Sequence, residues 1–425
     1  MTVNHRFKAF SIKPAYTLGK LSISGWGSDS NTGSCDGKLR VVFEGVCSSL
    51  VSSDTNPHIF VKVLDPSSFT SAGDIILVDE NRAQPAEVAD GGSRFPKISG
   101  NGRYVVFSTG AGNLVYTETN NVRTYEDTNN QIDVYRRDLN PSLSTDKIIG
   151  ISKTSTTNYR TGTYPCINRT GSHVAFETTV AISSADNNNN KEDFYLWNNG
   201  SISLLSVSTT GSSGGAPSTA VYDLSSHPCD FSADGRYFVF PSQARDLVSP
   251  NLSGENNSNV FLRDLTLGQT YWINKNNDGT QMQSHSYFPT VSDNGRFVSF
   301  FNYGVPGSFV YDRQLDTLRR LHNETTNVGG NIRPEILSNG RFIAFSTADS
   351  GLVLGDSNQS YDVFTYDISN KAQPHKGDFN LDGATDLTFF RPSNGTWYST
   401  AVSDYQFGQS GDIPAPGDYD GDGNI

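Results

Sequence analysis

One phrase recurs six times along this chain, and the recurrence limits the folds open to it. Gly102-Arg103-Tyr104-Val105-Val106-Phe107 returns as Gly171-Ser172-His173-Val174-Ala175-Phe176 and as Gly235-Arg236-Tyr237-Phe238-Val239-Phe240. It returns again as Gly295-Arg296-Phe297-Val298-Ser299-Phe300 and Gly340-Arg341-Phe342-Ile343-Ala344-Phe345. Gly37-Lys38-Leu39-Arg40-Val41-Val42-Phe43 is a first, one-residue-longer copy. All the anchor glycines but Gly171 follow Asp or Asn, and such pairs supply the positive φ angles of a tight hairpin turn. The aromatic and β-branched run after each turn is strand-like. In five copies a proline (Pro96, Pro165, Pro228, Pro289, Pro334) opens a short strand ahead of the turn, where its missing N–H is tolerated.

A third strand follows each hairpin. It reads Asp133-Val134-Tyr135-Arg136-Arg137-Asp138 in the second copy, Asn259-Val260-Phe261-Leu262-Arg263-Asp264 in the fourth and Asp362-Val363-Phe364-Thr365-Tyr366-Asp367 in the sixth. A fourth strand-like run then appears, as in Lys147-Ile148-Ile149 and Thr270-Tyr271-Trp272-Ile273. Four strands per unit and six units, with anchor glycines 45 to 69 residues apart, describe an all-β, six-bladed β-propeller over residues 1–372. Unrelated hairpins in a sandwich have no reason to repeat one phrase six times. The sixth unit lacks a fourth strand. A spare N-terminal segment, Phe10-Ser11-Ile12 or Lys20-Leu21-Ser22-Ile23-Ser24, is expected to pair as the outer strand of the last blade and close the ring.

Residues 373–425 have a different character. Asp378, Asn380, Asp382 and Asp386 place oxygen side chains at positions 1, 3, 5 and 9 of a loop, with Gly383 sixth and the Ala384 carbonyl seventh. Such alternation surrounds a hard cation with oxygen ligands; the bland alternative is a solvated acidic turn. Position twelve is Phe389, so the loop is no EF-hand. Asp418, Asp420 and Asp422 restart the pattern at the end of the chain.

The Pro, Asp/Asn-Gly-Arg, Tyr/Phe-Val-x-Phe and Asp-Val-Tyr-x-x-Asp-Leu pattern resembles the PD40 (WD40-like) repeat of TolB-type propellers over residues 33–369. The acidic tract resembles the FG-GAP/VCBS repeat. The first resemblance implies a six-bladed ring used as a binding platform in envelope or secreted proteins. The second implies calcium in the acidic loops of a partial repeat region, and a longer chain carrying more copies.

Composition narrows the partners. With 25 Phe, 19 Tyr and only 18% charged residues, disorder is not expected. A net charge of −12 without a basic stripe removes nucleic acid as a partner. No apolar run reaches the ~18–20 residues of a membrane span. The N-terminus shows no secretory signal, so either the protein stays inside or this start is not the precursor's start. Cys35, Cys47, Cys166 and Cys229 match no zinc spacing; they can pair as disulfides or remain buried thiols.

No nucleophile elbow and no phosphate-binding loop occurs. Just upstream of the blades' first strands stand Arg94, Tyr164, His227, His285, Tyr287 and Arg333. They suggest a polar ligand-binding ring at one channel mouth, with Arg forks suited to carboxylates, or ordinary surface. The leading reading is a non-enzymatic binding or scaffold protein, secreted or in the envelope, with a protein or glycan partner. The rival is a polysaccharide lyase or hydrolase at that mouth.

Overall fold

Strands are the only regular elements among the described residues of the computed structural model. These residues are 17–23, 39–46, 51, 55–64, 71–81, 87–120, 122–140, 148–186, 191–212, 229–252, 257–321, 334–336, 340–347, 362–368, 388–391, 396–399 and 405–406. Five successive antiparallel sheets have four strands each. The first holds Thr17–Ile23, Leu39–Val46, His58–Leu64 and Ser71–Leu77. The second holds Ser93–Ile98, Tyr104–Thr109, Asp133–Asp138 and Ile148–Gly150, the third Thr163–Ile167, His173–Thr178, Asp193–Asn198 and Ser201–Leu204. The fourth holds Asp230–Phe231, Tyr237–Ser242, Asn259–Asp264 and Gln269–Trp272, the fifth Ser286–Val291, Phe297–Asn302, Gly307–Asp312 and Thr317–Arg320. Glu335–Ile336, Phe342–Thr347 and Asp362–Asp367 form a sixth sheet of three strands.

The chain divides into two units, Met1–Gly340 with Ala344–Phe364 and Arg341–Ile343 with Thr365–Ile425. The second unit contains a three-stranded antiparallel sheet, Thr388–Arg391, Thr396–Ser399 and Tyr405–Gln406.

The N-terminal segment corrects one expectation. Thr17–Ile23 pairs with Leu39–Val46, Leu21 opposite Phe43 and Ile23 opposite Val41, as the first strand of the first sheet. It is not the outer strand of the last one. The first copy of the phrase lacks an opening proline strand, so its Leu39–Val46 strand takes the nearest upstream segment as inner partner. Phe10–Ile12 lies outside the described residues.

The second, third and fourth sheets are buried on both faces, which is why the recurring phrase is continuously apolar rather than alternating. Val105, Phe107 and Tyr135 of the second sheet pack with Val42, Ile59 and Val61 of the first. Their strand neighbours Val106 and Val134 turn the other way, onto Val174, Phe176 and Tyr195 of the third. Phe194 and Leu196 meet Phe238, Phe240 and Phe261 between the third and fourth. Val239, Val260 and Leu262 meet Val298, Phe300 and Phe309 between the fourth and fifth. Four-stranded sheets stacked face to face in chain order are the packing of a propeller.

The repeated polar residues hold the turns. Ser99 Oγ donates to Asn101 Oδ1 (2.6 Å), and the Arg103 N–H donates to the same oxygen (3.0 Å). Ser232 with Asp234 and Ser292 with Asn294 repeat this geometry. In four copies an arginine follows the glycine and clamps the carboxylate that ends the third strand. Arg103 grips Asp138, Arg236 grips Asp264, Arg296 grips Asp312 and Arg341 grips Asp367, each by Nε and Nη2. The same guanidinium lies over the next aromatic ring, 4.9 Å from the centroid for Arg103 and Tyr104. The third sheet has Ser172 and Asn198 in place of both clamp partners.

A second recurring latch joins the first residue of a third strand to a residue just beyond the fourth. His58 and Asp79, Asp133 and Ser152, Asp193 and Ser206, and Asn259 and Asn274 are such pairs, 2.6–3.1 Å apart. Cys166 and Cys229 form a disulfide, Cα–Cα 6.0 Å, tying the third sheet's first strand to the residue preceding the fourth's. Cys35 and Cys47 lie outside the described residues.

Candidate functional site

The first strands of the second, third and fifth sheets share an irregularity. Their pairing register jumps between Arg94 and Lys97, between Thr163 and Cys166, and between Tyr287 and Thr290. At each jump an aromatic residue precedes the proline and takes a left-handed backbone, with φ of 58° at Phe95, 50° at Tyr164 and 56° at Phe288. The proline cannot donate to the ladder, and the resulting bulge re-aims the residue before it. Left-handed backbone at a bulky residue costs of order 1–3 kcal/mol and persists only where its surroundings over-determine it. The Phe95 and Tyr164 rings, from neighbouring sheets, lie 4.4 Å apart. The Phe95 N–H donates to Glu44 Oε2 of the first sheet at 2.8 Å.

This aligns the residues differently from the sequence reading. Phe95, Tyr164, His227, Phe288 and Arg333 all stand immediately before a proline, whereas Arg94 and Tyr287 stand one residue earlier. Arg94, Tyr164 and Tyr287 lie inside the first strands rather than upstream of them. Arg94 is exposed. Tyr287 is buried, its ring 5.6 Å from His285 and 5.8 Å from Tyr303, and burial raises its pKa. His285 accepts the Ser258 N–H at Nδ1 (3.0 Å), a bond between the fourth and fifth sheets that gives the ring a structural task. His227 and Arg333 lie outside the described residues. So do Asp378, Asn380, Asp382, Ala384, Asp386, Asp418, Asp420 and Asp422.

Sequence reasoning missed Phe95 and Phe288, although the shared aromatic-proline pair was visible. It also missed the charges deeper along the same strands. Asp230 opens the fourth sheet and accepts the Val291 N–H of the fifth at 3.0 Å. Burial pushes its carboxyl up to about 7, Lys97 of the second sheet opposes that rise and Glu335 of the sixth adds to it. First strands of three sheets therefore act on one carboxyl that titrates near neutrality.

The turn ends of these strands meet one another. Arg169 of the third sheet's turn grips Asp293 of the fifth's at 2.7 Å. The Asn101 N–H donates to the Arg169 carbonyl and the Ala233 N–H to the Asp293 carbonyl, both at 3.0 Å. The ion pair joins the third and fifth sheets, which are not chain neighbours, and the two backbone bonds join chain neighbours, second to third and fourth to fifth. One end of the first strands is thus tied together by hydrogen bonds, while the other carries the strained aromatics.

A second buried acid borders this region. Glu177 stands in the second strand of the third sheet where Glu44 stands in the first. Burial pushes its carboxyl up to about 8, with Glu192 adding to the rise, and it makes no hydrogen bond among the described residues.

No family model and no curated protein matches this sequence. Solved structures align with it at low similarity. A TolB from Acinetobacter baumannii is 11% identical over 68% of this chain, with a TM-score of 0.38, and the chain spans 54% of its length. An oligogalacturonate lyase in complex with manganese is 12% identical, covering 77% of this chain and 85% of its own, with a TM-score of 0.42. A prolyl endopeptidase is 10% identical, covering 89% of this chain and 49% of its own, with a TM-score of 0.43.

Proposed function

We propose that the sheets close into a six-bladed ring and that the chain is a non-enzymatic binding protein. Its aromatic end, with Phe95, Tyr164 and Phe288, faces a glycan or protein partner; His227 and Arg333, at the same pre-proline position, extend that set. The observation that carries this reading is the strained backbone kept at three aromatics on three separate sheets. Strain of that kind concentrates at ligand-contacting sites. The Cys166–Cys229 disulfide supports a place outside the reducing cytoplasm, in the envelope or secreted.

For the second unit the reading is a partial FG-GAP/VCBS-like region holding calcium. Asp378, Asn380, Asp382, Asp386 and the Ala384 carbonyl form the first donor set, and Asp418, Asp420 and Asp422 a second. Both are all-oxygen sets with alternating spacing, the chemistry a hard cation requires. Chelator should lower the melting temperature of the native chain more than that of an Asp382→Ala variant, which keeps only the second set.

The functional test is incubation with peptidoglycan, acidic polysaccharides and neutral polysaccharides, scoring both retention and released products. Retention without products supports binding. Products would sink this reading in favour of a lyase or hydrolase. The observation that keeps such chemistry in play is Asp230, an acid titrating near 7 beside Lys97. In that case Asp230→Asn should abolish release while leaving retention.

A further inference from the structure

Arg137 and Arg263 occupy the same place in the second and fourth sheets, one residue before the clamp aspartate. Arg137 is 1% exposed, and its Nη1 donates to the Val78 and Glu80 carbonyls that follow the first sheet's last strand. The matching segment ahead of the fourth sheet carries Leu205 and Val207; Leu205 N donates to the Phe194 carbonyl as Val78 N donates to that of Ile59. Arg263 is not capped by them. Its one side-chain hydrogen bond among the described residues runs to Thr270 Oγ1 of its own sheet (2.9 Å), and no carboxylate pairs with it there. Burial pushes its pKa down, as expected for a half-buried guanidinium without a counter-charge.

Where Arg137 is sealed, Arg263 opens onto two cavities. One of about 510 Å³ lies between the third and fourth sheets, against Asn198, Ser203 and Thr266. The other, about 1160 Å³, follows the fourth sheet's outer strand past Trp272, Tyr271 and Tyr311. Arg263, Lys275 and Arg313 line this larger cleft against a single carboxylate, Asp316, which Lys275 already holds at 2.9 Å. On a chain of net charge −12 such a cationic cleft runs against the overall balance. The Trp272 indole N–H is held by Asn274 Oδ1 (2.9 Å), which sets the ring. Thr209, Asn251, Gln269 and Gln281 supply hydroxyls and amides around it.

We propose that this cleft is a subsite for an acidic polysaccharide, with Arg263 forking onto a uronate carboxylate and the Trp272 and Tyr271 rings lying along the sugar chain. A guanidinium fork matches a carboxylate in two parallel hydrogen bonds. The hydroxyl- and amide-rich lining favours a polyol over an acidic peptide. The site lies on outer strands, so it stands or falls independently of the aromatic end of the first strands.

The test is calorimetric titration of the full chain with a glucuronate-containing tetrasaccharide, its methyl ester and a tetraglutamate peptide. The native chain should bind the uronate about tenfold or more tightly than the ester, since a hydrogen-bonded charge is lost. Arg263→Met should bring uronate affinity down to that of the ester without changing the ester's own. Arg263→Lys, which keeps the charge but not the fork, should fall between. The ester comparison needs no variant and holds if Arg263→Met fails to fold. The proposal is overturned if the native chain binds ester and uronate alike or neither, if Arg263→Met binds the uronate as the native chain does, or if tetraglutamate binds as tightly as the uronate.

Discussion

The two ends of the first strands follow different rules. At the turn end, three sheets reproduce one geometry almost atom for atom, Ser to Asx at 2.6–2.7 Å and Arg onto Asp in two parallel bonds. At the other end the second, third and fifth sheets share a backbone distortion but not a side-chain set: Phe95 leans on Tyr164 and donates its N–H to Glu44, while Phe288 follows a Tyr287 stacked with His285. Repetition with identical chemistry belongs to a device that builds the fold. A shared distortion with divergent side chains belongs to a surface that meets something else. The contrast divides the molecule into an end where substitutions should cost stability and an end where they should cost binding.

The largest expected loss is at the turn end. Gly295 has φ +69°, and a Cβ there meets the Tyr237 ring. Gly295→Ala should destabilise by roughly 3–5 kcal/mol, adding left-handed backbone strain to a packing clash. Gly279 also has a positive φ, +80°, but a Cβ there meets nothing within 4 Å. Gly279→Ala should cost only the backbone part, about 1–2 kcal/mol. Urea unfolding of the two variants separates the terms; equal losses would remove the ring contact from the account. Next is the disulfide. Replacing Cys166 and Cys229 together by Ala opens a bridge spanning 63 residues and should cost about 2–4 kcal/mol. Reduction of the native chain should lower its melting temperature by a matching amount.

The aromatic end contains a cost of the opposite sign. Glu177 is raised in the folded state from 4.5 to about 8 by burial, so its folded form prefers the proton. Its contribution is fully favourable below pH about 4.5 and is lost as pH rises towards 8. Glu177→Gln should therefore stabilise the chain by about 2–3 kcal/mol at pH 7 and by almost nothing at pH 4. Melting curves at the two pH values read the difference directly, and a gain that does not grow with pH would refute it.

What was legible in the sequence follows the same division. The six copies, the strand count per copy and the hairpin turns were readable because one local solution was written out repeatedly in Asx-Gly-Arg and aromatic residues. The clamp was written there too, in Arg236 and Asp264, but its two halves lie a whole hairpin apart and only the fold brings them together. At the aromatic end the residue types alone do not mark the bulge: Arg94 and Tyr287 stand one residue ahead of the pre-proline position that Tyr164 shares with Phe95 and Phe288, and only the backbone shows that this position carries the distortion. The place of the N-terminal strand was hidden for another reason: the Leu39–Val46 strand and the three-stranded sixth sheet both lack a partner within their own copies, and the sequence of Thr17–Ile23 suits either.

The two smallest stability effects separate the ends most sharply. Arg296→Met breaks a clamp whose guanidinium is about one-third exposed, so solvent screening limits the loss to about 0.5–1 kcal/mol, with partner binding unchanged. The clamp also has a pH signature. Burial raises the Asp264 pKa, but Arg236 and the Thr266 and Leu267 N–H groups outweigh it and hold the carboxyl below its ordinary 3.8. Its contribution is therefore present above pH about 3.8 and lost as pH falls through the lower folded value, and Arg236→Met should flatten that acid limb.

Phe95→Gly works at the opposite end. Glycine adopts φ near 58° without strain, which returns about 1–2 kcal/mol, while the lost ring contact with Tyr164 removes a similar amount. Net stability should move by less than about 1 kcal/mol in either direction. Retention on the polysaccharide or protein ligand identified in the incubation panel should nevertheless fall tenfold or more. A Phe95→Gly chain that binds normally but melts several degrees lower would place the strained aromatics with the turns, as part of the scaffold.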